Sequence, residues 1–477
     1  MLGKIFRGNA IPEGTFDGFE KGSYNFLLVC RHWFEVASST PELWSFWGNN
    51  LGDWAKRYPR FQTAPLDLVL RGRRFKGEIL ANAALRNALR DRAARDTIRR
   101  IHLTTEESEL LNSIITPLTA NCEGLRSSSV ESLILRDESV GTTPVDISDF
   151  FAHYRFPKLQ RLRLWNCAVS SWSLLTSRTS VLTTLDLSLD DPLPTPTRSQ
   201  LLSILASNPT LQKVALTGRA VSGYHSGSSS LRVPLHHLKE LKLSGGLRNI
   251  IGLLDQLDHA KNANLRLNLC ECVVGDISQT LLPCLQNYLQ HRDKPRNGLG
   301  LYVSRQGGNE IIFHMGDVGE IHPSAPESER MVSFMGIVVC VDQSPFGNLL
   351  EKAIFDLITG TPREEIVYLK THRSPVMEGI YSKLPNLKAL YSDTIPLSAV
   401  LPKGKGILPS LQHIFFERVV ADGGDWGPLV AFLSRRASSG NRLASLTIVR
   451  SSFMRTEVVE NIRRVVREFR TGHLTPL

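Results

Sequence analysis

LQRLRLWNCAV, residues 159–169, places Leu162 and Leu164 at alternate positions, with Leu159 three residues before the first of them. A strand sends successive side chains to opposite faces, so this alternation marks a half-buried strand. The pattern recurs in both directions. Before it stand PLDLVLRG from Pro65, IRRIHLTT from Ile98 and VESLILRD from Val130; after it stand LTTLDLSL from Leu182, LQKVALTG from Leu211, LKELKLSG from Leu238 and ANLRLNLCEC from Ala263. Taking the first aliphatic of each core gives Leu68, Ile101, Leu133, Leu162, Leu185, Val214, Leu241 and Leu267, at steps of 33, 32, 29, 23, 29, 27 and 26 residues. After an interval come EIVYLKTH from Glu365, LKALYSDTI from Leu387, LQHIFFERV from Leu411 and LASLTIVRS from Leu443.

Each such unit is a strand followed by a return segment, and neither buries its apolar side without neighbours. LLSILASN from Leu201, LLPCLQNYLQHR from Leu281 and LVAFLSRRA from Leu429 have the helical spacing a return segment needs, the last with a basic end favourable to the helix dipole. Pro157, Pro209, Pro385 and Pro409 stand a few residues before strands, where they end a helix and aim the chain into the sheet. The repeat resembles the leucine-rich repeat, with irregular unit length. The asparagine that usually follows the strand is plain only at Asn166; Asp137, Ser188, Thr217 and Ser244 take that place elsewhere. The resemblance implies an α/β fold in which short N-terminal helices precede an irregular leucine-rich-repeat solenoid of about a dozen units over residues 61–477. Its sheet is expected to be curved and mainly parallel, with helices and loops on the outer side.

Residues 291–345 break the rhythm. GLGLYVSRQGGNEIIFHMGDV has two strand-like runs around Gln306-Gly307-Gly308-Asn309, which predicts a β-hairpin, and FMGIVVCVD follows a polar loop. The region is either an insertion projecting from the array or divergent repeats that stay in the sheet. The second is favoured, because strands near Leu301, Ile311 and Ile337 can continue it.

The N-terminal stretch LLVCRHWFEVASSTPELW, residues 27–44, carries a second signal. Leu27, Cys30, Phe34 and Ala37 share a helical stripe that Leu28, Val29, Trp33 and Val36 widen, and Thr40-Pro41 supplies a new helix start before Leu43 and Trp44. By itself this pattern fits two helices that close the end of a larger core, or a docking face. The run C-R-H-W-x-x-V-A-x-S-T-P-x-L-W is similar to the second half of the F-box of large fungal families. Residues 1–60 therefore read as an F-box-like helical segment, degenerate or truncated. An F-box opens with a Leu-Pro-x-Glu turn and an amphipathic helix, whereas here Ile11-Pro12-Glu13 leads into Gly14–Ser23 with three glycines, each costing a helix interior ~1 kcal/mol relative to alanine. The resemblance implies that Leu28, Cys30, Trp33, Val36, Ala37, Pro41, Leu43 and Trp44 face a Skp-type adaptor, which joins a cullin complex. The chain would then be the substrate-receptor subunit of an SCF-type ubiquitin ligase, holding a protein substrate on the repeat surface. A ubiquitin-independent interaction scaffold is the alternative.

The totals agree with a folded chain. At 477 residues the chain exceeds the ~250 to 300 residues at which single cores stop growing, so it needs two compact domains or an elongated array. No apolar run approaches the ~18 residues of a membrane span, and the first residues lack the apolar core of a secretory signal. Seven cysteines without a regular framework fit reduced thiols, and so a cytoplasmic or nuclear location. Cys270-x-Cys272 with Cys284 and His291 is the densest metal-like cluster, but its first spacing is wrong for zinc and a buried strand end accounts for it.

Of the net charge of +10, residues 56–100 carry thirteen Lys or Arg against four Asp or Glu. Helical spacing of Arg86, Arg90, Arg92, Arg95 and Arg99 would gather these into one basic surface. That surface is either a solvated face or a site for an acidic protein partner; without interleaved aromatics or a binding motif it does not read as a nucleic-acid site. No nucleophile elbow, zinc-protease, dinucleotide or phosphate-loop motif occurs, so no catalytic residue and no cofactor is expected. His236 and His237, Asp190 and Asp191, and Asp422 and Asp425 read as surface and turn residues. Arg163, Trp165, Lys242 and Arg266 are strand positions expected to face outward.

Overall fold

The structure is a computed structural model. It describes residues 30–32, 35, 46–47, 66–71, 97–106, 108–119, 126–139, 145–179, 181–190, 193–221, 232–259, 263–272, 277–290, 299–306, 310–318, 331–341, 363–372, 378–381, 383–393, 397, 401, 408–421, 424–451 and 454–472. The protein is mixed α/β, with a large, mostly parallel sheet and helices between its strands. It divides into two compact units, Met1–Tyr224 with Leu231–Leu238, and His225–Ser230 with Lys239–Leu477.

In the first unit the strands of the large sheet are β1 (Phe46–Trp47), β2 (Leu66–Arg71), β3 (Ile98–Thr105), β4 (Ser132–Asp137), β5 (Arg161–Trp165), β6 (Thr184–Leu189) and β7 (Lys213–Gly218). Each pairs in parallel with the next. Their register aligns Leu68, Ile101, Leu133, Leu162, Leu185 and Val214 in one row, as the sequence spacing predicts. All six are at most 1% exposed. Full burial of such a side chain contributes about 1.5–3 kcal/mol, so this row is a main source of the unit's cohesion.

Return segments follow the expected logic. Helix α1 (Arg198–Ala206) starts with a reciprocal capping box between Thr197 and Gln200 and buries Leu201, Leu202, Ile204 and Leu205. Asn208, wholly buried, then turns the chain into β7: its Oδ1 accepts from Leu182 N at 3.3 Å and its Nδ2 donates to Ile204 O at 2.8 Å. Asn166, just past β5, adopts φ 53°, a left-handed conformation that asparagine tolerates. It exchanges hydrogen bonds with Asp190, through Nδ2 to Oδ2 at 3.0 Å and from Asp190 N to Oδ1 at 3.2 Å. Gly218 has φ +64°, and a Cβ there would lie 2.3 Å from Leu189 O, so only glycine fits.

In the second unit the strands of the large sheet are β8 (Glu240–Gly246), β9 (Asn264–Cys272), β10 (Leu299–Gln306), β11 (Glu310–Val318), β12 (Met331–Val341), β13 (Ile366–His372), β14 (Ala389–Asp393), β15 (His413–Glu417), β16 (Ser445–Val449) and β17 (Glu468–Gly472). Their order in the sheet is β8, β9, β12, β11, β10, β13, β14, β15, β16, β17. The hairpin expected around residues 306–309 is present as the antiparallel pair β10–β11, and residues 299–341 do keep their strands in the sheet. They are nonetheless not divergent repeats in sequence order. The block is threaded backwards: β12, last in sequence, pairs with β9, and β10, first in sequence, pairs with β13.

Two register details correct the sequence reading. Leu241 pairs with Leu265, so the step is 24 residues to Leu265 instead of 26 to Leu267; the earlier leucine of a three-leucine strand takes the position. Strand β17, EFRTG, lacks the leucine alternation and escapes the pattern altogether. The basic end of helix α2 (Gly427–Ser438) also has a more specific use than the helix dipole. Arg436 is buried and donates from Nη1 to Leu408 O and from Nη2 to Leu411 O, both at 2.7 Å, tying the helix to the segment that enters β15.

Candidate functional site

Because the leucines of each strand point inward, the residues between them form a second face, and this face is the candidate site in each unit. In the first unit the register places Asp67, Arg100, Ser132, Arg161, Thr184 and Lys213 in one row. A second row holds Val69, His102, Ile134, Arg163, Asp186 and Ala215, and a third holds Thr104, Arg136, Trp165, Ser188 and Thr217. Arg136 lays its guanidinium over the Trp165 ring, 3.6 Å from the ring centroid, and pairs with Glu138 at 2.5 Å. Trp165 Nε1 donates to Asp186 Oδ1 at 3.3 Å, and Arg163 stands 3.7 Å from the other oxygen. Asp67 is nearly buried, bound by Arg99 at 2.9 Å with Arg100 at 3.8 Å; the Asp67 carboxylate holds the Arg99 guanidinium above its usual range.

The face of the second unit is built differently. Cα register aligns His314, Tyr302, Lys370, Tyr391 and Phe415 across β11, β10, β13, β14 and β15. Their side chains form one continuous stack. The His314 and Tyr302 rings meet edge-on at 5.7 Å, Lys370 Nζ lies 5.0 Å from the Tyr302 ring and 4.7 Å from that of Tyr391, and Tyr391 stacks on Phe415 at 4.8 Å and 9°. The last spacing is that of neighbouring strands, so the rings repeat the ladder beneath them. Burial holds the Lys370 amine below its ordinary value, with Asp393 and Glu417 opposing that shift. His314 is also lowered, by burial and then by the charge of Arg266.

One end of this stack is fastened by acids. Asp393, whose side chain is only 7% exposed, receives Arg418 through Nε at 2.9 Å and Nη2 at 2.5 Å, and His372 Nδ1 lies 2.8 Å from it. Tyr391 donates its hydroxyl to Glu417, which Arg450 meets at 3.1 Å. Burial and then this bond push the Tyr391 hydroxyl above its usual range. Arg418 and Arg450, the residues just past β15 and β16, both have φ 53°. Each reaches back to the acid that ends the preceding strand.

No family model and no curated protein matches the chain.

Arg163, Trp165, Lys242 and Arg266 lie on these faces, as their alternation predicts; Lys242 and Arg266 are exposed and Arg163 and Trp165 half-buried. Of the residues implied for adaptor docking, Cys30 is described and is exposed, followed by Arg31 and His32 in helical conformation; Arg31 pairs with Glu35 one turn on, at 2.9 Å. Leu28, Trp33, Val36, Ala37, Pro41, Leu43 and Trp44 lie outside the described residues. So do Arg86, Arg90, Arg92 and Arg95 of the basic stretch. Arg99 belongs to strand β3 and to Asp67, which removes it from the helical basic surface expected of it.

Cys270 lies two residues before the end of β9, whose Leu265, Leu267 and Leu269 are buried, while the Cys272 side chain and His291 lie outside the described residues. Burial pushes the Cys284 thiol up to about 12. Among the described residues no three His, Cys, Asp or Glu side chains are grouped to hold a metal, and no helix is long and apolar enough to cross a membrane. Asp425 accepts from Gly427 N at 2.7 Å, the turn role expected of it. Sequence reasoning missed the stack, Asp393 and Arg418. Their signal, aromatic or charged residues at the outward positions of Tyr302, Lys370, Tyr391 and Phe415, is readable only once the strand order is known.

Proposed function

We propose that the chain is a non-catalytic protein receptor. Its residues 1–60 form an F-box-like segment that engages a Skp-type adaptor, and through it a cullin-RING ubiquitin ligase. Residues 61–477 form an irregular, curved leucine-rich-repeat solenoid whose open sheet face holds the protein substrate. The observation that carries this reading is the separation of faces: row after row of strands buries its leucines on one side and presents polar, charged and aromatic residues on the other. A broad surface of large amphipathic side chains suits protein recognition. Free thiols at Cys30, Cys167, Cys270 and Cys284 fit the cytosol or nucleus.

The test is retention of a purified Skp-type adaptor by the immobilised full chain at micromolar concentration. Retention that is lost on Trp33→Ala supports the receptor reading, and no retention removes it. The second reading, an interaction scaffold without adaptor binding, is favoured by the three glycines of residues 14–23, which oppose the first helix of an F-box.

A further inference from the structure

The open face of the first unit is cationic in a specific geometry. Arg100, Arg136, Arg161, Arg163 and Lys213 lie on it, against Asp67 and Asp186. Both acids are already engaged, Asp67 by Arg99 and Arg100 and Asp186 by Trp165 and Arg163. Arg161 forms no ion pair among the described residues, and its register neighbours Ser132 and Thr184 are small and buried. Arg163 meets Asp186 only at 3.7 Å, beyond hydrogen-bond length.

Arg161 and Arg163 are alternate residues of one strand, so their side chains leave the same face about 6.6 Å apart along it. Alternate side chains of an extended peptide have that same spacing. We propose that this face binds an extended acidic segment of a partner protein, with carboxylates at alternate positions, laid along β5 so that successive acids meet Arg161 and Arg163. The inference rests on the recognition reading above and supplies the chemistry of the partner. Nucleic acid fits less well. Of the two aromatic rings in these rows, His102 is buried and Trp165 is covered on one side by Arg136 and donates its N–H to Asp186, so the face offers little for bases to stack on.

The experiment uses the full chain and fluorescence anisotropy with three labelled probes: a peptide of four Glu-Ser repeats, a peptide of four Glu followed by four Ser, and a short oligodeoxythymidine. The alternating peptide should bind tightest, by about threefold or more over the block peptide, because only it matches both arginines in one extended register. Arg161→Glu with Arg163→Glu should weaken it by about tenfold or more, whereas Arg463→Glu with Arg464→Glu, an equal charge change on an exposed helix of the other unit, should change it by about twofold or less. Arg161→Gln with Arg163→Gln, which introduces no new charge, should reproduce the loss with an unchanged melting curve. Equal affinity for the two peptides, equal weakening by both charge reversals, tighter binding of the oligonucleotide, or no binding of the alternating peptide would each overturn the proposal. If the adaptor is retained and the peptide is not, only this inference fails; if the peptide binds and the adaptor does not, only the ligase reading fails.

Discussion

The two units use the same strand for different purposes on its outward face. In the first, strand order follows chain order and the outward residues include Arg136 and Arg163, which meet Glu138 and Asp186, and Arg161, which forms no ion pair among the described residues; all three are half in water. In the second, a backward block of three strands brings Tyr302 and His314 beside Lys370 and Tyr391, and the outward residues become packing. Tyr391 is 4% exposed although it points away from the leucine side, and with Val318, Val367, Tyr368 and Ala389 it forms a small second core. The outward face of such a sheet is thus not free surface by default. Where successive strands carry rings at one register, the face closes on itself; where they carry charges, it stays open to a partner.

Truncation is the direct way to break this comparison. Tyr391→Ala should lower stability by about 3 kcal/mol or more, since it removes a buried ring from the stack, while Arg163→Ala should stay within about 0.5 kcal/mol; urea denaturation of both variants checks this. Equal losses would mean that the faces do not differ. Next in size is Gly218→Ala, expected to cost about 2–3 kcal/mol because its Cβ would strike the Leu189 carbonyl at positive φ, against about 1 kcal/mol for Gly440→Ala, where φ is +80° but nothing lies within 4 Å. Hydrogen exchange of the β6 and β7 amides would show the first loss locally.

Asp393→Ala sharpens the contrast among the acids. It removes a nearly buried carboxylate shared by Arg418 and His372, so thermal unfolding should show a loss of about 1–3 kcal/mol. Asp186→Ala, whose partners are half-exposed arginine and tryptophan, should cost less. The smallest effect concerns pH. Burial and Arg266 hold His314 below the ordinary 6.5, so between 6.5 and that lower value the unfolded chain binds a proton that the folded chain does not. Stability should therefore fall as the pH drops through this window, and His314→Phe should give a shallower acid limb in a pH series of denaturation curves. An unchanged limb would remove His314 from the account.

Much of the ladder was legible because alternation and burial have the same cause. Leu133, Leu162 and Leu185 could be placed in one row from spacing alone, since each strand has a single way to hide its leucines. Leu265 and Leu267 show the limit: where three leucines alternate, Leu265, Leu267, Leu269, the pattern fits two registers equally and only pairing decides. Arg99 shows another, because arginine at helical spacing is also arginine on a strand, and its tie to Asp67 spans 32 residues. The stack was invisible for a topological reason. Tyr302 and Lys370 become neighbours only because β10 sits at the far side of its own hairpin, and nothing local to either residue encodes that.

The backward block also dictates an order of events. On a ribosome the first unit can extend its sheet one strand at a time, each new strand docking on the last. The second cannot do so past Cys272. The partner for that edge of β9 ends at Val341, and β10 and β11 emerge before it. At typical elongation rates β9 keeps an unpaired edge for on the order of ten seconds. During that interval the nascent chain displays a strand whose Leu265, Leu267 and Leu269 have yet to be covered on that side, which is where misassembly, or the attention of a chaperone, has its opening.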